Sequence, residues 1–401
     1  MIKKNFRNKL FAFFRINKSL TYLIYVKIKV ENYKLKYLLH LMRKDKNRFK
    51  AFIRRMLYIR DFIIIFFCNY YLFLKNRNNN NYFKEIVFVI NNNDGWVLEG
   101  IANDLAKCLV SNYKDLKVDV ISFKVFKKKV SKTTKYIFMH QVMTRKIFKM
   151  NINLENTYCY YTHTRDLNNS DLFNYAFLKG IFFQCKKELN LLKVNGLKQN
   201  NLIYLPVGYD KFVFPKAANL IKRKYDFCFS TPFYDEAENP HYFIRKEIKL
   251  VEFISAKLSL NGFNVVIVGK NWPNSSIVKE SNCVLKEDNY LKKSETLQDV
   301  KCFINLSSYE GGPVTLLEAA ASGCNIISRD VGIAFDLSQD ISNFKLLKDC
   351  DTYSKYYQEV LNSNNQMDAL TKKNYINNLK LLENKYEFNI LAEKIYNNIF
   401  N

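Results

Sequence analysis

The strongest constraint on the fold is an alternation of short apolar strands and amphipathic helices, which occurs twice along the chain. EIVFVI at 85–90 is a β-branched run typical of a buried parallel strand, and VLEGIANDLAKCLV at 97–110 has its apolar residues at helical spacing. The strand pattern returns in YDFCFSTP at 225–232, FNVVIVGK at 263–270 and CFINLSS at 302–308. Strands that alternate with helices indicate doubly wound sheets, so the sequence predicts two α/β domains that face a cleft.

Three regions of the chain differ in character. Residues 1–82 are basic and rich in aromatic residues, end in an Asn-rich linker, and predict a mainly helical N-terminal extension. Residues 83–215 and 216–401 are the predicted N-terminal and C-terminal Rossmann-like domains, the second closing on a terminal crossover helix. HYFIRKEIKLVEFISAKLSLNG at 241–262 predicts one long amphipathic helix that stops at a glycine.

The net charge limits the kinds of binding partner that the sequence favours. The formal net charge is +26, from 63 Lys and Arg against 37 Asp and Glu, which favours nucleic acid, anionic lipid or phosphorylated small molecules. The segment at 47–62 mixes basic and apolar side chains, a composition that suits an anionic membrane surface. The alternative is that these helices pack on the two domains and their charges are solvated.

Neither a membrane-spanning protein nor a zinc-binding or disulfide-containing protein is expected. The most apolar segment, 56–74, is interrupted by Arg60 and Asp61 and falls short of the roughly 18–20 residues that span a bilayer, so no membrane span is predicted. The nine cysteines are scattered without C-x-x-C pairs or zinc spacing. They predict reduced core thiols in a cytoplasmic protein.

One segment, CFINLSSYEGGPVTLLEAAASGCNIIS at 302–328, points to chemistry. A strand runs into a glycine pair that allows close backbone approach, and a helix begins near Pro313. The unpaired amides of a helix start favour a phosphate group. Glu310 and Glu318 lie eight residues apart, so one carboxylate is near the phosphate and the other stands deeper along the same ligand.

The stretch EGGPVTLLEA at 310–319, followed by Ala321-Ser322-Gly323, resembles the Glu-x7-Glu signature of retaining GT-B glycosyltransferases, the glycosyl transferases group 1. The resemblance covers roughly residues 85–400 and implies the GT-B architecture. It implies that Glu310 contacts the donor sugar and Glu318 the ribose. By the same resemblance, the donor diphosphate lies on a loop and helix start made of Gly311, Gly312, Pro313, Val314, Thr315 and Leu316.

Weaker matches follow in the order of that family. They are the glycine loop at Gly95, the cleft histidine at His163, the interdomain segment at 202–215, the phosphate lysine at Lys246 and the strand-end glycine at Gly269. His163 and Glu310 are the predicted catalytic residues, with Glu310 as a positioning and electrostatic group rather than a covalent nucleophile. His140 and His241 are assigned structural roles.

The sequence departs from the family pattern at two places. Val207 stands where an asparagine is usual, and Ser230-Thr231-Pro232 replaces a Gly-Arg whose arginine reaches the donor phosphate. Arg245, beside Lys246, is the candidate substitute, although adjacent residues of one helix point in different directions.

The resemblance implies transfer of a sugar from a nucleotide-sugar donor to a glycan or lipid-linked acceptor, with retention of anomeric configuration. It implies no bound metal and no cofactor, because the nucleotide sugar is a co-substrate. A cytoplasmic enzyme of bacterial surface polysaccharide or lipopolysaccharide biosynthesis, in peripheral contact with the inner membrane face, is the resulting expectation. The alternatives are a catalytically degenerate GT-B scaffold and a polyanion-binding protein. Nucleic acid is not an expected partner, because the charge is spread along the chain without a recognisable module.

Overall fold

The computed structural model describes residues 84–91, 97–126, 133–147, 152–162, 175, 177–194, 197, 201–214, 217, 220–367 and 370–400. The N-terminal extension, Gly95 and His163 lie outside the described residues. Within the described part, no helix combines the length and apolarity that crossing a membrane requires.

A parallel six-stranded sheet forms the first domain, with strand order β2-β1-β3-β4-β5-β6. β4 is buried along its whole length, as expected of a strand covered on both faces. The elements are β1 Glu85–Ile90, α1 Val97–Asn112, β2 Lys117–Ser122, α2 Phe123–Phe126, β3 Lys135–Phe138, α3 Gln141–Ile147, β4 Thr157–Tyr161, β5 Gly180–Phe183, α4 Lys186–Val194 and β6 Leu202–Tyr204.

A second parallel six-stranded sheet follows, with order β12-β11-β10-β7-β8-β9. Its strands and early helices are β7 Tyr225–Ser230, α5 Pro240–Arg245, α6 Ile248–Leu260, β8 Val265–Val268, α7 Ser276–Lys279, β9 Val284–Lys286, α8 Tyr290–Gln298 and β10 Val300–Asn305. The remaining elements are α9 Val314–Ala321, β11 Asn325–Arg329, α10 Ala334–Asp340, β12 Phe344–Leu347, α11 Tyr353–Gln366, α12 Lys372–Tyr386 and α13 Phe388–Phe400.

The strand order of the second sheet is that of a dinucleotide-binding Rossmann fold, and it reverses between β7 and β10. The order of the first sheet reverses between β1 and β3. Loops at the carboxyl ends of such strands form the crevice in which α/β proteins bind ligands. The predicted α/β architecture of two Rossmann-like domains is therefore confirmed, and the loop after β10 lies at the switch point of the second sheet.

The prediction of one continuous helix over 241–262 is wrong. The chain forms α5 and α6 instead, because Glu247 takes a left-handed conformation with φ 51° and ψ 48°. A left-handed non-glycine residue ends a helix and costs about 1–2 kcal/mol. Lys246 becomes the C-terminal cap of α5, where its N–H donates to the Tyr242 carbonyl at 2.9 Å.

The C-terminal helices return to the first domain. α13 packs against α1, and the Tyr396 ring stacks on Tyr113 with ring centroids 3.7 Å apart. Lys84, just before β1, contacts the Tyr396 hydroxyl. The last helix therefore ties the chain end to the first domain. The exact domain boundaries stay predictions: the first sheet ends at Tyr204 and the second begins at Tyr225.

Candidate functional site

The glycine pair after β10 lies where the two domains meet. A Cβ added to Gly311 would lie 2.2 Å from the Thr162 carbonyl oxygen, which follows β4 of the first domain. A Cβ on Gly312 would lie 2.4 Å from a methyl carbon of Val207. Real Cβ atoms do not approach other atoms so closely, so close contact between domains requires glycine at both positions. Val207, the departure from the family pattern, is thus part of this contact.

The helix start after the glycine pair is where the sequence predicted it. Pro313 is the N-terminal cap of α9 in an extended conformation, and Val314 is the first helical residue. The Leu316 N–H donates to the Pro313 carbonyl at 3.0 Å. Val314 and Thr315 lie in the first turn, whose N–H groups no intrahelical carbonyl can reach. Of the three predicted phosphate-binding amides, these two are the better placed to bind an anion.

The structure brings Glu310, Arg245 and Lys246 together. One carboxylate oxygen of Glu310 lies 2.5 Å from an Arg245 Nη2, and the other lies 2.5 Å from the Lys246 Nζ. Two adjacent residues reach one carboxylate because the helix ends at Lys246, so the expected divergence of side chains does not arise. The Ser308 N–H donates to the Arg245 carbonyl at 2.9 Å and holds the end of α5 against the loop that carries Glu310.

Burial and charge act in opposite directions on Glu310. Its carboxylate is only 7% exposed, and burial by itself would raise its pKa. The two cations outweigh that effect through charge attraction and hydrogen bonds, so the pKa of Glu310 lies below its ordinary value. Glu310 is therefore ionised at neutral pH and holds both cations.

Aromatic rings surround the Arg245 guanidinium. It lies 5.5 Å from the Tyr309 ring centroid and 6.0 Å from that of Tyr242. The Tyr309 hydroxyl lies 3.0 Å from His241 Nε2, which links the start of α5 to the same loop. The Arg245 Nε is buried and has no hydrogen-bond partner among the described residues. Arg245 therefore retains an unused donor beside its ion pair with Glu310.

Glu318 has a partner that sequence reasoning missed. Its side chain is 1% exposed, and Oε2 lies 2.6 Å from Nζ of Lys293 on α8. The Lys293 ammonium also lies 5.8 Å from the Phe214 ring centroid, in the segment that follows β6. The sequence indicated Lys293 only weakly. It lies four residues before the buried Leu297 on the same helical face, a position where an apolar residue would be usual.

Gly269 serves the packing of the second sheet. A Cβ there would lie 2.1 Å from the Thr231 carbonyl oxygen, the same atom that accepts a hydrogen bond from the Trp272 indole at 2.6 Å. The Ser230-Thr231-Pro232 segment is thereby fixed at the end of β7 without a charged side chain. The arginine that the sequence analysis offered as a substitute, Arg245, lies on α5 and pairs with Glu310.

The first domain supplies uncharged groups to the contact. Gln141 Oε1 accepts hydrogen bonds from both the N–H and the hydroxyl of Thr162, at 3.1 and 2.9 Å. Gln184, buried after β5, has an Oε1 without a hydrogen-bond partner among the described residues, and it would be 2.8 Å from a Cβ at Gly311 or Gly312. His163 follows Thr162 in the sequence, but its side chain and Gly95 are outside the described residues.

A second interdomain contact lies on α10. The Asp336 carboxylate, which is buried, accepts hydrogen bonds from the Lys186 N–H at 3.0 Å and from the Tyr204 hydroxyl at 2.9 Å. Lys186 is the first residue of α4, so Asp336 caps a helix of the opposite domain. An exposed ion pair between Lys187 and Asp330, 2.7 Å long, lies beside it.

Metal-ligating side chains do not gather in the described part of the chain. No group of three or more His, Cys, Asp or Glu side chains there is arranged to hold an ion. The buried charged groups described above are Glu310, Glu318 and their three cationic partners.

Comparison with known proteins gives a family match for the second domain and a fold match for both. Residues 218–376 match the family model described as glycosyl transferases group 1. A search of curated proteins with this sequence finds no match.

Solved structures resemble the described chain at low identity. A sucrose-phosphate synthase from Thermosynechococcus elongatus is 12% identical with a TM-score of 0.56, over 78% of this chain and 98% of that one. The Anabaena protein Alr3699/HepE, solved with UDP, is 11% identical with a TM-score of 0.57, over 78% and 98%. The lipopolysaccharide outer core galactosyltransferase WaaB is 11% identical with a TM-score of 0.55, over 79% and 99%.

The present chain has two parallel sheets and resembles these structures over most of its length, so the predicted GT-B architecture is confirmed. The matched region contains both carboxylates of the Glu-x7-Glu stretch and all three of their cationic partners. The protein thus has the GT-B fold, and its second domain matches the glycosyl transferases group 1.

Proposed function

We propose that this protein is a retaining, metal-independent glycosyltransferase that moves a sugar from a nucleotide-sugar donor to an acceptor. The observation that carries the proposal is the convergence of Arg245 and Lys246 on Glu310, in the loop between β10 and α9 at the switch point of the second sheet. Cleavage of the bond between the anomeric carbon and the diphosphate leaves negative charge on the diphosphate. Two cations and the first-turn amides of α9 stabilise that charge without a metal.

The nucleoside half of the donor lies along α9 in this proposal. Glu318 accepts hydrogen bonds from the ribose hydroxyls, and Lys293 holds the carboxylate in place. Glu310 accepts hydrogen bonds from the hydroxyls of the donor sugar and faces the positive charge that develops at the anomeric carbon. The acceptor hydroxyl attacks from the face that the diphosphate leaves, which retains the anomeric configuration.

The acceptor binds on the side of the first domain, near the carboxyl ends of β4 and β5. We propose a glycan or lipid-linked acceptor in bacterial surface polysaccharide or lipopolysaccharide synthesis. The galactosyltransferase WaaB, named for the lipopolysaccharide outer core, supports this choice through its fold.

The proposal also includes a cytoplasmic location, with residues 1–82 on an anionic membrane surface. Removal of residues 1–75 should therefore release the protein from anionic liposomes. Unchanged liposome binding would contradict the membrane role.

The degenerate-scaffold alternative follows from the missing arginine at Ser230-Thr231-Pro232. Arg245 supports the catalytic proposal, because it brings a guanidinium to the Glu310 carboxylate from α5 rather than from the segment after β7. Release of a nucleoside diphosphate from a sugar nucleotide by the wild-type protein would exclude the scaffold. A folded protein that binds nucleotide without turnover would support it.

Thermal unfolding in the presence of UDP, GDP, ADP or dTDP tests the proposal. A nucleotide at 100 times its dissociation constant adds about 2.7 kcal/mol to the free energy of unfolding. We expect one nucleotide to stabilise the wild type and to stabilise Lys246→Ala much less. The control is Lys249→Ala, which removes an exposed lysine of α6 that pairs with Glu236 in the turn before α5. A folded wild type that no nucleotide stabilises would contradict the proposed function.

A further inference from the structure

The Glu310 carboxylate is already paired with Arg245 and Lys246, the two cations that would bind a diphosphate. Each of its oxygens lies 2.5 Å from one cationic nitrogen, and the carboxylate is almost fully buried. The three side chains together carry a net charge of +1 rather than +2. A diphosphate that approaches Arg245 and Lys246 therefore meets a fixed negative charge within the same cluster.

Both cations have donors left for a second anion. An arginine carries five N–H donors and a lysine three, whereas Glu310 takes one from each in this arrangement. The buried Nε of Arg245 has no hydrogen-bond partner among the described residues. A phosphate group can thus bind next to Glu310 rather than by expelling it, and the two anions then repel each other at short range.

We propose that Glu310 makes the site favour the sugar nucleotide over the free nucleoside diphosphate, that is, substrate over product. This inference rests on the proposed function. The terminal phosphate of a free nucleoside diphosphate has a second ionisation near pH 6, so at neutral pH it carries more negative charge than the same phosphate esterified to a sugar. Glu310 repels the free form more strongly.

The sugar compensates for the remaining repulsion. Its hydroxyl groups donate hydrogen bonds to the Glu310 oxygens, and hydrogen bonds to an ionised carboxylate are stronger than neutral ones. The free diphosphate has no such donors. Glu310 is thus a specificity-determining residue whose charge promotes release of the diphosphate once the sugar has been transferred.

The test compares dissociation constants of a nucleoside diphosphate and its sugar nucleotide on the full chain, for the wild type and Glu310→Gln. UDP and UDP-glucose are the first probes, followed by the GDP, ADP and dTDP pairs. We expect Glu310→Gln to bind the free diphosphate about tenfold more tightly, because the neutral amide no longer repels it. We expect it to bind the sugar nucleotide no more tightly than the wild type. The inhibition constant of the diphosphate should fall in parallel.

Two variants serve as controls. Glu310→Asp retains the charge and should keep the affinity for the free diphosphate within about twofold of the wild type. Glu236→Gln removes an exposed carboxylate paired with Lys249 and should change neither dissociation constant. Circular dichroism establishes that each variant is folded, and Glu310→Ala, which also removes the charge, carries the comparison with wild type if Glu310→Gln does not fold. In that case, an Ala variant that binds the free diphosphate more tightly than the wild type supports the role of the charge, and unchanged or weaker binding overturns it.

The outcomes separate this inference from the proposed function. Wild-type binding of a nucleotide together with unchanged or weaker diphosphate binding by Glu310→Gln would overturn the inference and leave the glycosyltransferase proposal standing. Absence of nucleotide binding by the wild type and the variants alike would overturn both.

Discussion

The two domains contribute different kinds of groups to the candidate site. Among the described residues there, the second domain supplies charged side chains: Glu310 with its two cations, and Glu318 with Lys293. The first domain supplies the Thr162 carbonyl, the Gln184 amide and the Val207 side chain, which press on the glycine pair. The charged side chains of the candidate site and the close packing on the glycine pair thus come from different domains, and substitutions should separate their effects.

The largest effect on stability is expected within the second domain, at the buried pair of Lys293 and Glu318. Lys293→Met leaves the Glu318 carboxylate buried without its cation, and we expect the free energy of unfolding to fall by about 3 kcal/mol. Urea unfolding measures this change.

A matched control lies on the same helix. Lys292→Met replaces an exposed lysine next to Lys293 and should stay within about 0.5 kcal/mol of the wild type. Adding Glu318→Gln to Lys293→Met should recover most of the lost stability, because the buried charge is removed. A loss below 0.5 kcal/mol in Lys293→Met itself would mean that the pair is solvated.

The second effect concerns activity across the domain contact. Gly311→Ala places a methyl group against the Thr162 carbonyl and pushes the loop between β10 and α9 away from the first domain. A displacement of about 1 Å can cost about a hundredfold in rate, so we expect sugar transfer to fall by that factor. Initial rates with donor and acceptor measure the loss.

The control for that substitution is Gly100→Ala. Gly100 lies in α1 with nothing within 4 Å of an added Cβ, so alanine should keep the activity and stabilise the helix by about 1 kcal/mol. Full activity of Gly311→Ala would show that the close contact between the domains is not needed during turnover.

The smallest of the three effects is expected at the second interdomain contact. Asp336→Ala removes a carboxylate that accepts from the Lys186 N–H and the Tyr204 hydroxyl, and it should lower the free energy of unfolding by about 2 kcal/mol. Amide hydrogen exchange in the first turn of α4 should become faster, since its cap is lost.

The exposed neighbour tests whether burial is the cause. Asp330→Ala breaks the ion pair with Lys187, in which both side chains are at least 40% exposed, and should cost at most about 1 kcal/mol. Equal losses in the two variants would contradict the view that Asp336 contributes more because it is buried.

The sequence predicted the strands that became β1, β7, β8 and β10, the glycine pair at 311–312 and the helix start near Pro313, because each depends on a local pattern of apolar residues, glycine and proline. It did not single out β9 or β12. It failed at Glu247, since glutamate is a good helix former and nothing local announces a left-handed residue there. That one residue decides that Arg245 and Lys246 both reach Glu310. The family resemblance pointed to Lys246, and the missing family arginine made Arg245 a candidate, but neither indicated that the two residues share Glu310 as a partner.

By itself, the sequence determined the class of the fold and the position of the charged motif, because periodicity and turn chemistry act over a few residues. Only the tertiary structure decided which charges meet. Lys293 and Glu318 are 25 positions apart, Glu310 and Lys246 are 64 apart, and Gly311 and Thr162 come from different domains. Such pairings depend on how two sheets and their helices pack, and no local pattern in the chain records that packing.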